Sequence, residues 1–224
     1  MLKYDKLFIV LLFKKMLSID IMEVLLSENN SQLCYIPNIL TEDECEYIKK
    51  LAILEEEMDS EEPYLLYHPP VVMYGRVCHQ QRSVGFFTND KRVKGYRYSK
   101  RILKSQNMPE YMASIMAKVN RVLNHNFNAI LLNHYANGKE YISAHSDSQI
   151  GLKTNIVASI SVGEDRIFRI RDKETNNVVL DVPTYERGLL LMIGDFQQHY
   201  THEIPVDKRI TMPRWSLTFR THSF

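Results

Sequence analysis

The sequence has few cysteines, and their arrangement excludes two common structural roles. The chain of 224 residues contains only Cys34, Cys45 and Cys78, an odd number at irregular spacing and without a C-x-x-C pair. A disulfide framework needs paired cysteines and a zinc ribbon needs closely spaced ones, so neither is predicted. Such cysteine usage is typical of a reducing compartment, and we expect an intracellular protein, nuclear or cytoplasmic.

A long apolar segment is also missing. Residues Leu7–Phe13 form an apolar run between Lys6 and Lys14, but this run is far too short to cross a bilayer as a helix. A secretory signal needs a longer apolar region and a small-x-small cleavage site, and neither follows. We therefore expect no membrane association, and we interpret residues 1–32 as an N-terminal extension that is disordered or partly helical.

Neither sign of charge is in excess, with 28 Lys and Arg against 27 Asp and Glu. The overall balance therefore gives no signal for a nucleic-acid or membrane partner, and any such signal must be local. The hydrophobic fraction of 45% and the charged fraction of 25% are those of an ordinary globular protein. Because no repeat or low-complexity linker interrupts the chain, we predict one domain over residues 33–224, and a monomer.

Two helices are predicted before the β-rich part of the chain. A capping box of the form T-x-x-E begins at Thr41 and predicts a helix that ends near Leu54. A second helix is predicted to begin near Pro109, because proline is favoured in a first turn. Its apolar residues recur at i, i+3, i+4 and i+7 spacing: Met112, Ile115, Met116, Val119, Val122 and Leu123.

After Asn126 the pattern changes to short β-type runs separated by turn residues. The runs are Ala129–Tyr135, Asn155–Val162, Arg166–Arg171, Val178–Val182, Gly188–Ile193, Gln198–Ile204 and Trp215–Thr221. Several short strands at such spacing predict an antiparallel sandwich or barrel. The predicted fold is mainly β with N-terminal α/β elements: a double-stranded β-helix, or jelly roll, over residues 126–221, backed by helices.

A His-x-Asp pair at His145 and Asp147, followed at a distance by His202, is the sequence form of a two-histidine, one-carboxylate facial triad. In an extended segment residues i and i+2 point to the same side, so the pair can meet one ion. This ligand set suits Fe(II), since it leaves coordination positions open for a cosubstrate and O2. The short motif alone is weak evidence, because a lone histidine in a strand is more often a core residue.

The strand predicted near the C-terminus presents two contrasting faces. Arg214, Ser216, Thr218 and Arg220 alternate with Trp215, Leu217 and Phe219, so one face is polar and the other apolar. Two guanidinium groups on one face can grip the carboxylates of a dicarboxylic acid. A solvent-exposed face with two charges is the alternative interpretation.

Asn133 and Tyr135 provide a third signal, since they share a face of the strand that precedes the His-x-Asp pair. Both side chains can donate hydrogen bonds to a carboxylate. By themselves they would be ordinary polar residues at the end of a strand.

Together these motifs resemble the AlkB family of 2-oxoglutarate and Fe(II)-dependent dioxygenases, over about Tyr35 to Arg220. The similarity is greatest to the branch that repairs alkylated duplex DNA. It implies Fe(II), 2-oxoglutarate and O2 as cofactor and cosubstrates. It implies His145, Asp147 and His202 as iron ligands, and as 2-oxoglutarate contacts Asn133, Tyr135, Arg214 and Arg220, with Ser216 and Thr218 nearby.

The resemblance also assigns residues 68–104 to a nucleotide-recognition lid. Tyr74 would be the wedge that fills the gap left by a flipped base, and Gln149 stands where relatives commonly carry an acidic residue near that base. Independently, Lys91–Lys104 is half basic with two interleaved tyrosines, which suits nucleic acid, although a solvated basic loop has the same composition. The implied substrate contacts are Tyr74, Arg76, Arg82, Tyr96, Tyr98, Ser99 and Gln149.

The expected function is oxidative demethylation of N-alkylated nucleobases of the 1-methyladenine and 3-methylcytosine type, in DNA, with release of formaldehyde, succinate and CO2. Action on RNA bases or on a protein side chain is an alternative with the same chemistry. A binding module that keeps the fold without catalysis is another. A zinc hydrolase is disfavoured, since no helix carries an H-E-x-x-H motif.

Overall fold

The computed structural model describes residues 22–57, 66–73, 76–98, 101–147 and 152–222. The helices are α1 (Glu42–Glu57), α2 (Glu110–Leu123) and α3 (Phe196–His199). The strands are β1 (Glu23–Glu28), β2 (Ser31–Ile36), β3 (Pro70–Met73), β4 (Arg76–His79), β5 (Ser83–Phe87), β6 (Gly95–Tyr98), β7 (Arg101–Lys104), β8 (Ala129–Tyr135), β9 (Ile142–His145), β10 (Leu152–Gly163), β11 (Ile167–Asp172), β12 (Val178–Pro183), β13 (Leu189–Gly194), β14 (Tyr200–Ile204) and β15 (Arg214–His222).

Two antiparallel sheets lie face to face. The larger sheet has seven strands in the order β1-β2-β13-β10-β15-β8-β5, and the smaller has four in the order β12-β11-β14-β9. Val157 and Met192 of the larger sheet share a hydrophobic cluster with Phe168, Ile170 and Ile204 of the smaller one. This arrangement confirms the predicted jelly roll and leaves the site between the two sheets.

The two longer helices cover the outer face of the larger sheet. Ile48 of α1 and Met112 and Ile115 of α2 lie in one buried cluster with Leu132 of β8 and Leu217 of β15. The apolar stripe predicted for the second helix is therefore core. Helices bury one face of the larger sheet and the smaller sheet buries the other. The central strands of the larger sheet are therefore apolar on both faces except at the site.

Local signals explain where α1 and α2 begin. The Thr41 hydroxyl accepts a hydrogen bond from the Glu44 N–H (3.2 Å), and the Glu44 carboxylate accepts one from the Thr41 N–H (2.7 Å), which confirms the capping box. Helix α2 begins directly after Pro109 and ends at Asn124, whose left-handed backbone (φ 45°) stops the helix.

The prediction that residues 1–32 form a disordered or partly helical extension is wrong for residues 23–32. This segment contains β1 and the start of β2, and β2 pairs with β13 from Ser31↔Gly194 to Ile36↔Leu189. Strand β1 carries a register shift between Val24 and Leu26, which breaks the alternation that identifies a strand in sequence. Met22, directly before β1, is also buried in the core, and residues 1–21 of the predicted extension lie outside the described residues. Within the described part of the chain, no helix is long and apolar enough to cross a membrane.

Two further predictions need correction. The strand predicted from Gln198 begins instead at Tyr200, because the Gln198 and His199 N–H groups both donate to the Asp195 carbonyl and form the helical turn α3. The range predicted as a lid, residues 68–104, contains two-stranded ribbons β3–β4 and β6–β7. Between them, however, β5 is fully buried and pairs with β8 as part of the larger sheet.

Candidate active site

A small cavity lies between the two sheets. Every residue predicted to hold the metal or the cosubstrate lines it: Asn133, Tyr135, His145, Asp147, His202, Arg214, Ser216, Thr218 and Arg220. These residues come from both sheets, so strand pairing and the packing of the two sheets together assemble the full set.

Strand pairing places the two histidines of the triad side by side. His145 ends β9 and is the direct cross-strand partner of His202 in β14, and their ring centroids are 4.4 Å apart. Asp147 follows β9 and is completely buried. One ligand atom of each of the three residues lies within 4.8 Å of the others, a geometry that fits a single metal ion.

The protonation states of the triad favour metal binding. Burial lowers the pKa of both histidines, that of His202 to about 3, where the neighbouring His145 adds to the effect. The His145 Nδ1 lies 2.9 Å from the Ser143 carbonyl, so Nδ1–H donates and Nε2 keeps its lone pair. Burial alone would raise the pKa of Asp147, but Arg220, His202 and His145 together lower it. Two neutral imidazoles and one carboxylate are thus the ionisation states that a metal requires.

Two buried atoms of the triad lack a hydrogen-bond partner among the described residues. These atoms are Asp147 Oδ2 and His202 Nδ1. A buried polar atom without a partner is costly unless a ligand satisfies it. The free Asp147 oxygen therefore fits a metal ion bound between the two histidines.

Arg214 has a guanidinium group that is only partly satisfied by the protein. Its Nη2 donates to the Ser161 hydroxyl (2.8 Å) and its Nε to the Thr184 hydroxyl (3.2 Å). The group lies 5.4 Å from the ring centroid of Tyr135, and Nη1 is buried with no partner among the described residues. Burial lowers the pKa of Arg214 to about 10, so it remains a cation at neutral pH and offers a free donor to a carboxylate.

Arg220 connects the metal ligands to the polar face of β15. Its Nη2 donates to Asp147 Oδ1 at 2.6 Å, and its guanidinium lies 4.6 Å from the centroid of the Tyr96 ring. Nε and Nη1 of Arg220 have no hydrogen-bond partner among the described residues. Burial alone would lower the pKa of Arg220, but the Asp147 carboxylate raises it overall, so the charge is secure. Arg220 thus holds a metal ligand with one nitrogen and can bind a second anion with the others.

Asn133 is oriented by Arg82, which was predicted as a substrate contact. Arg82 is buried in the cavity and its Nε donates to Asn133 Oδ1 at 2.8 Å. Arg82 directly precedes β5, and the pairing of β5 with β8 places Val84 opposite Asn133. With its oxygen engaged by Arg82, the Asn133 amide presents its NH2 group as a donor.

The other predicted substrate contacts divide into three groups. Tyr96 is buried and lines the cavity, next to Arg220. Arg76 lies on β4, whose side chains are all exposed. The remaining predictions fall outside the described residues: Tyr74, Ser99, Gln149 and the side chain of Tyr98.

Two contributors to the site were not identified from the sequence. Gln197 accepts a hydrogen bond from the main-chain N–H of Asp147 at 2.8 Å. Arg166 lies 5.7 Å from the Tyr135 ring centroid and donates to the Glu140 and Pro205 carbonyls, which fixes the loop after β8. Neither residue belongs to a short motif. Arg166 follows a turn at the start of a predicted strand, which is its one local signal.

An antiparallel jelly roll with this ligand set and two buried arginines defines the class of 2-oxoglutarate- and Fe(II)-dependent oxygenases. A family model described as the 2OG-Fe(II) oxygenase superfamily matches residues 32–220, nearly the whole chain. Among curated proteins, the chain is 36% identical over 106 residues to alkB homolog 3 of Bos taurus, which is described as an alpha-ketoglutarate-dependent dioxygenase. The matched segment covers 43% of this chain and 37% of that protein. It is 33% identical over 110 residues to the human DNA oxidative demethylase ALKBH2, covering 46% of this chain and 42% of that protein.

The solved structure of OsALKBH1 has a TM-score of 0.56 to this chain at 15% identity, covering 88% of this chain and 100% of that one, which supports the fold alone. The matched segments span about two-fifths of the length of the curated relatives. The chain belongs to the AlkB family of 2-oxoglutarate- and Fe(II)-dependent oxygenases.

Proposed function

We propose that this protein oxidatively removes N-linked methyl groups from nucleobases, with DNA as its main substrate. The observation that carries the proposal is one buried cavity that combines a His145–Asp147–His202 ligand set with two cationic arginines, each with unsatisfied donors. The names of the relatives add support for the substrate class, since one is a DNA oxidative demethylase.

The roles of the residues follow from their geometry. His145 Nε2, Asp147 and His202 would hold Fe(II), with Arg220 keeping the carboxylate ionised and oriented. Arg214, Arg220 and the Asn133 amide would bind 2-oxoglutarate, because their free donors point into one cavity and carboxylates accept such donors bidentately. Tyr135 lies beside Arg214 and would limit where the cosubstrate can lie.

Bound Fe(II) would supply the oxidation in which O2 and 2-oxoglutarate become succinate and CO2 while a methyl C–H bond becomes C–OH. An N-hydroxymethyl group then loses formaldehyde and leaves the base with an N–H. The protein's part is to position the methyl group and keep the site dry, and Phe168, stacked on His202 with centroids 5.0 Å apart, contributes an apolar wall.

Support for nucleic acid comes from the two ribbons of the lid region. The β3–β4 ribbon exposes Arg76 and Val77, the latter 61% exposed, and the β6–β7 ribbon lies within the basic segment Lys91–Lys104. Tyr96 of β6 reaches the cavity, so this ribbon connects the outer surface to the site. Cations bind phosphates and aromatic rings stack on bases, and a base must leave a duplex to reach such a cavity.

The test is anaerobic reconstitution with Fe(II) and 2-oxoglutarate, followed by air and oligonucleotides that carry 1-methyladenine or 3-methylcytosine. DNA and RNA are each offered in single- and double-stranded form. Loss of one methyl mass from DNA, dependent on both iron and 2-oxoglutarate and absent in His145→Ala, is the expected result. If RNA is turned over faster than DNA, then RNA, and not DNA, is the main substrate. Succinate formation without any change in the oligonucleotides would redirect the search to other substrates, including protein side chains.

Folded protein that neither binds iron nor forms succinate would favour the binding-module alternative. The monomeric state and the nuclear or cytoplasmic location remain predictions. Size-exclusion chromatography with light scattering tests the first of these directly.

A further inference from the structure

The main chain of Asp147 is attached to a distant part of the fold through the buried side chain of Gln197. Gln197 Oε1 accepts the Asp147 N–H at 2.8 Å. Asp147 has no exposed surface and Gln197 is 2% exposed, so water cannot replace this hydrogen bond.

No strand pairing fixes Asp147 among the described residues. The pairing of β9 with β14 ends at His145↔His202, and β10 begins at Leu152. The carboxylate end of Asp147 is bound to Arg220, whereas the main-chain end depends on Gln197. The two contacts together determine where the carboxylate lies relative to the histidines.

Gln197 is itself firmly placed. It lies on α3 beside the fully buried Phe196, and its Nε2 is 3.3 Å from the Met192 sulfur. Helix α3 leads directly into β14, the strand that carries His202. Gln197 therefore connects one proposed metal ligand to the segment that leads to another.

A second contact strengthens the same connection from outside. Lys173 Nζ donates to the Ser146 hydroxyl (3.1 Å) and to the Gln197 carbonyl (3.2 Å). These bonds are more exposed than the one to Asp147, so we expect a smaller contribution from them.

We propose that Gln197 is a positioning residue that sets the geometry of the metal site by binding the peptide N–H of Asp147. The inference rests on the proposed iron ligands and does not depend on which substrate is used. Outer contacts of this kind commonly change metal affinity by about 10- to 100-fold. The substitution Gln197→Met keeps length and bulk while removing the strong acceptor.

The chain provides a matched control in the next residue. Gln198 is exposed and its amide donates to Asp195 Oδ1, away from the cavity. The same change, Gln198→Met, therefore tests the effect of the substitution on α3 without altering the contact with Asp147.

The experiment measures Mn(II) affinity by calorimetry, with no turnover required, and the visible absorption of bound Co(II). We expect Gln197→Met to bind Mn(II) about 10- to 100-fold more weakly than the parent protein and to alter the Co(II) spectrum. Gln198→Met should match the parent in both measurements. Gln197→Glu, which keeps an acceptor for the Asp147 N–H, should recover most of the lost affinity. Melting of the metal-free proteins identifies any variant that fails to fold.

The outcomes distinguish a wrong role for Gln197 from a wrong metal site. If the parent binds Mn(II) in a manner that His145→Ala abolishes, but folded Gln197→Met binds equally well with an unchanged Co(II) spectrum, the positioning role is wrong and the metal site stands. If Gln197→Met does not fold, Gln197→Glu decides the question. This variant keeps an acceptor for the Asp147 N–H, so weak Mn(II) binding together with a changed Co(II) spectrum would also overturn the proposal. If the parent binds no Mn(II) and His145→Ala makes no difference, the proposed ligand set itself is wrong.

Discussion

Arg220 Nη2 and Asp147 Oδ1 lie 2.6 Å apart in a buried ion pair, with side-chain exposures of 3% and 0%. One arginine of the polar strand face therefore supports the carboxylate ligand of the metal site directly. The other arginine of that face, Arg214, contacts hydroxyl groups and Tyr135 instead. The two residues look alike in sequence but have different neighbours.

We predict that Arg220→Met and Arg214→Met respond differently to metal. Removing Arg220 leaves Asp147 as an unpaired buried charge, which destabilises a protein by roughly 3–5 kcal/mol. A bound divalent cation replaces the missing positive charge, so Mn(II) should raise the melting temperature of Arg220→Met more than that of the parent protein. In Arg214→Met the shift caused by Mn(II) should equal that of the parent. Equal shifts in all three proteins would contradict the shared role of Arg220.

Arg214→Met should instead affect the cosubstrate. Its free Nη1 is the proposed donor to 2-oxoglutarate, and a charge-assisted hydrogen bond contributes about 1.5–3 kcal/mol, or roughly 10- to 150-fold in affinity. We therefore expect a KM for 2-oxoglutarate raised by about that factor, measured by succinate formation. An unchanged KM would remove Arg214 from the cosubstrate site.

His145→Ala and Asp147→Ala should each abolish turnover and keep the fold, although Asp147→Ala leaves the buried Arg220 unpaired and should also lower the melting temperature. Both side chains belong to the proposed ligand set. His145 is the last paired residue of β9 and Asp147 lies two residues beyond it, so removing either side chain leaves the strand pairing in place. Circular dichroism and melting monitor the fold, and methyl loss from an oligonucleotide monitors activity. Retained demethylation by either variant would overturn the assignment of iron ligands.

Arg82 and Arg76 provide a test of the lid region. Because Arg82 Nε binds Asn133 Oδ1, Arg82→Gln should disturb the Asn133 amide and raise the KM for 2-oxoglutarate by roughly 3- to 10-fold, the value of one net hydrogen bond. Arg76→Gln changes an exposed residue of β4 and should weaken oligonucleotide binding without altering that KM. The opposite pattern would contradict the role of Arg82 in orienting Asn133.

His134 predicts how stability depends on pH. Burial, and then the nearby His68, lowers the pKa of His134 to about 4, whereas an unfolded histidine has a pKa near 6.5. Between these values the unfolded chain binds more protons, so stability decreases as the pH falls from about 6.5 towards 4. For this one group the loss between pH 7 and pH 5 is about 1–2 kcal/mol. His134→Phe, which keeps the stacking on Trp215, should show a smaller loss in urea titrations at the two pH values; an equal loss would contradict the assignment.

Much of the fold could be predicted from local patterns. The capping box at Thr41 and the proline before α2 mark helix starts through contacts within a few residues. The alternation in β15 correctly separated Arg214 and Arg220 from the apolar face, because successive side chains point to opposite sides of any strand. Strand β1 was missed because its irregular register breaks that alternation.

The sequence by itself determined which residue types share a strand face and where the chain turns, since both depend on neighbouring residues only. The tertiary structure alone decided that His202 lies opposite His145, that Arg82 is buried against Asn133, and that Gln197 reaches Asp147. These relationships join residues far apart in the chain, and they exist only because strand register and the packing of two sheets bring the residues within hydrogen-bonding distance.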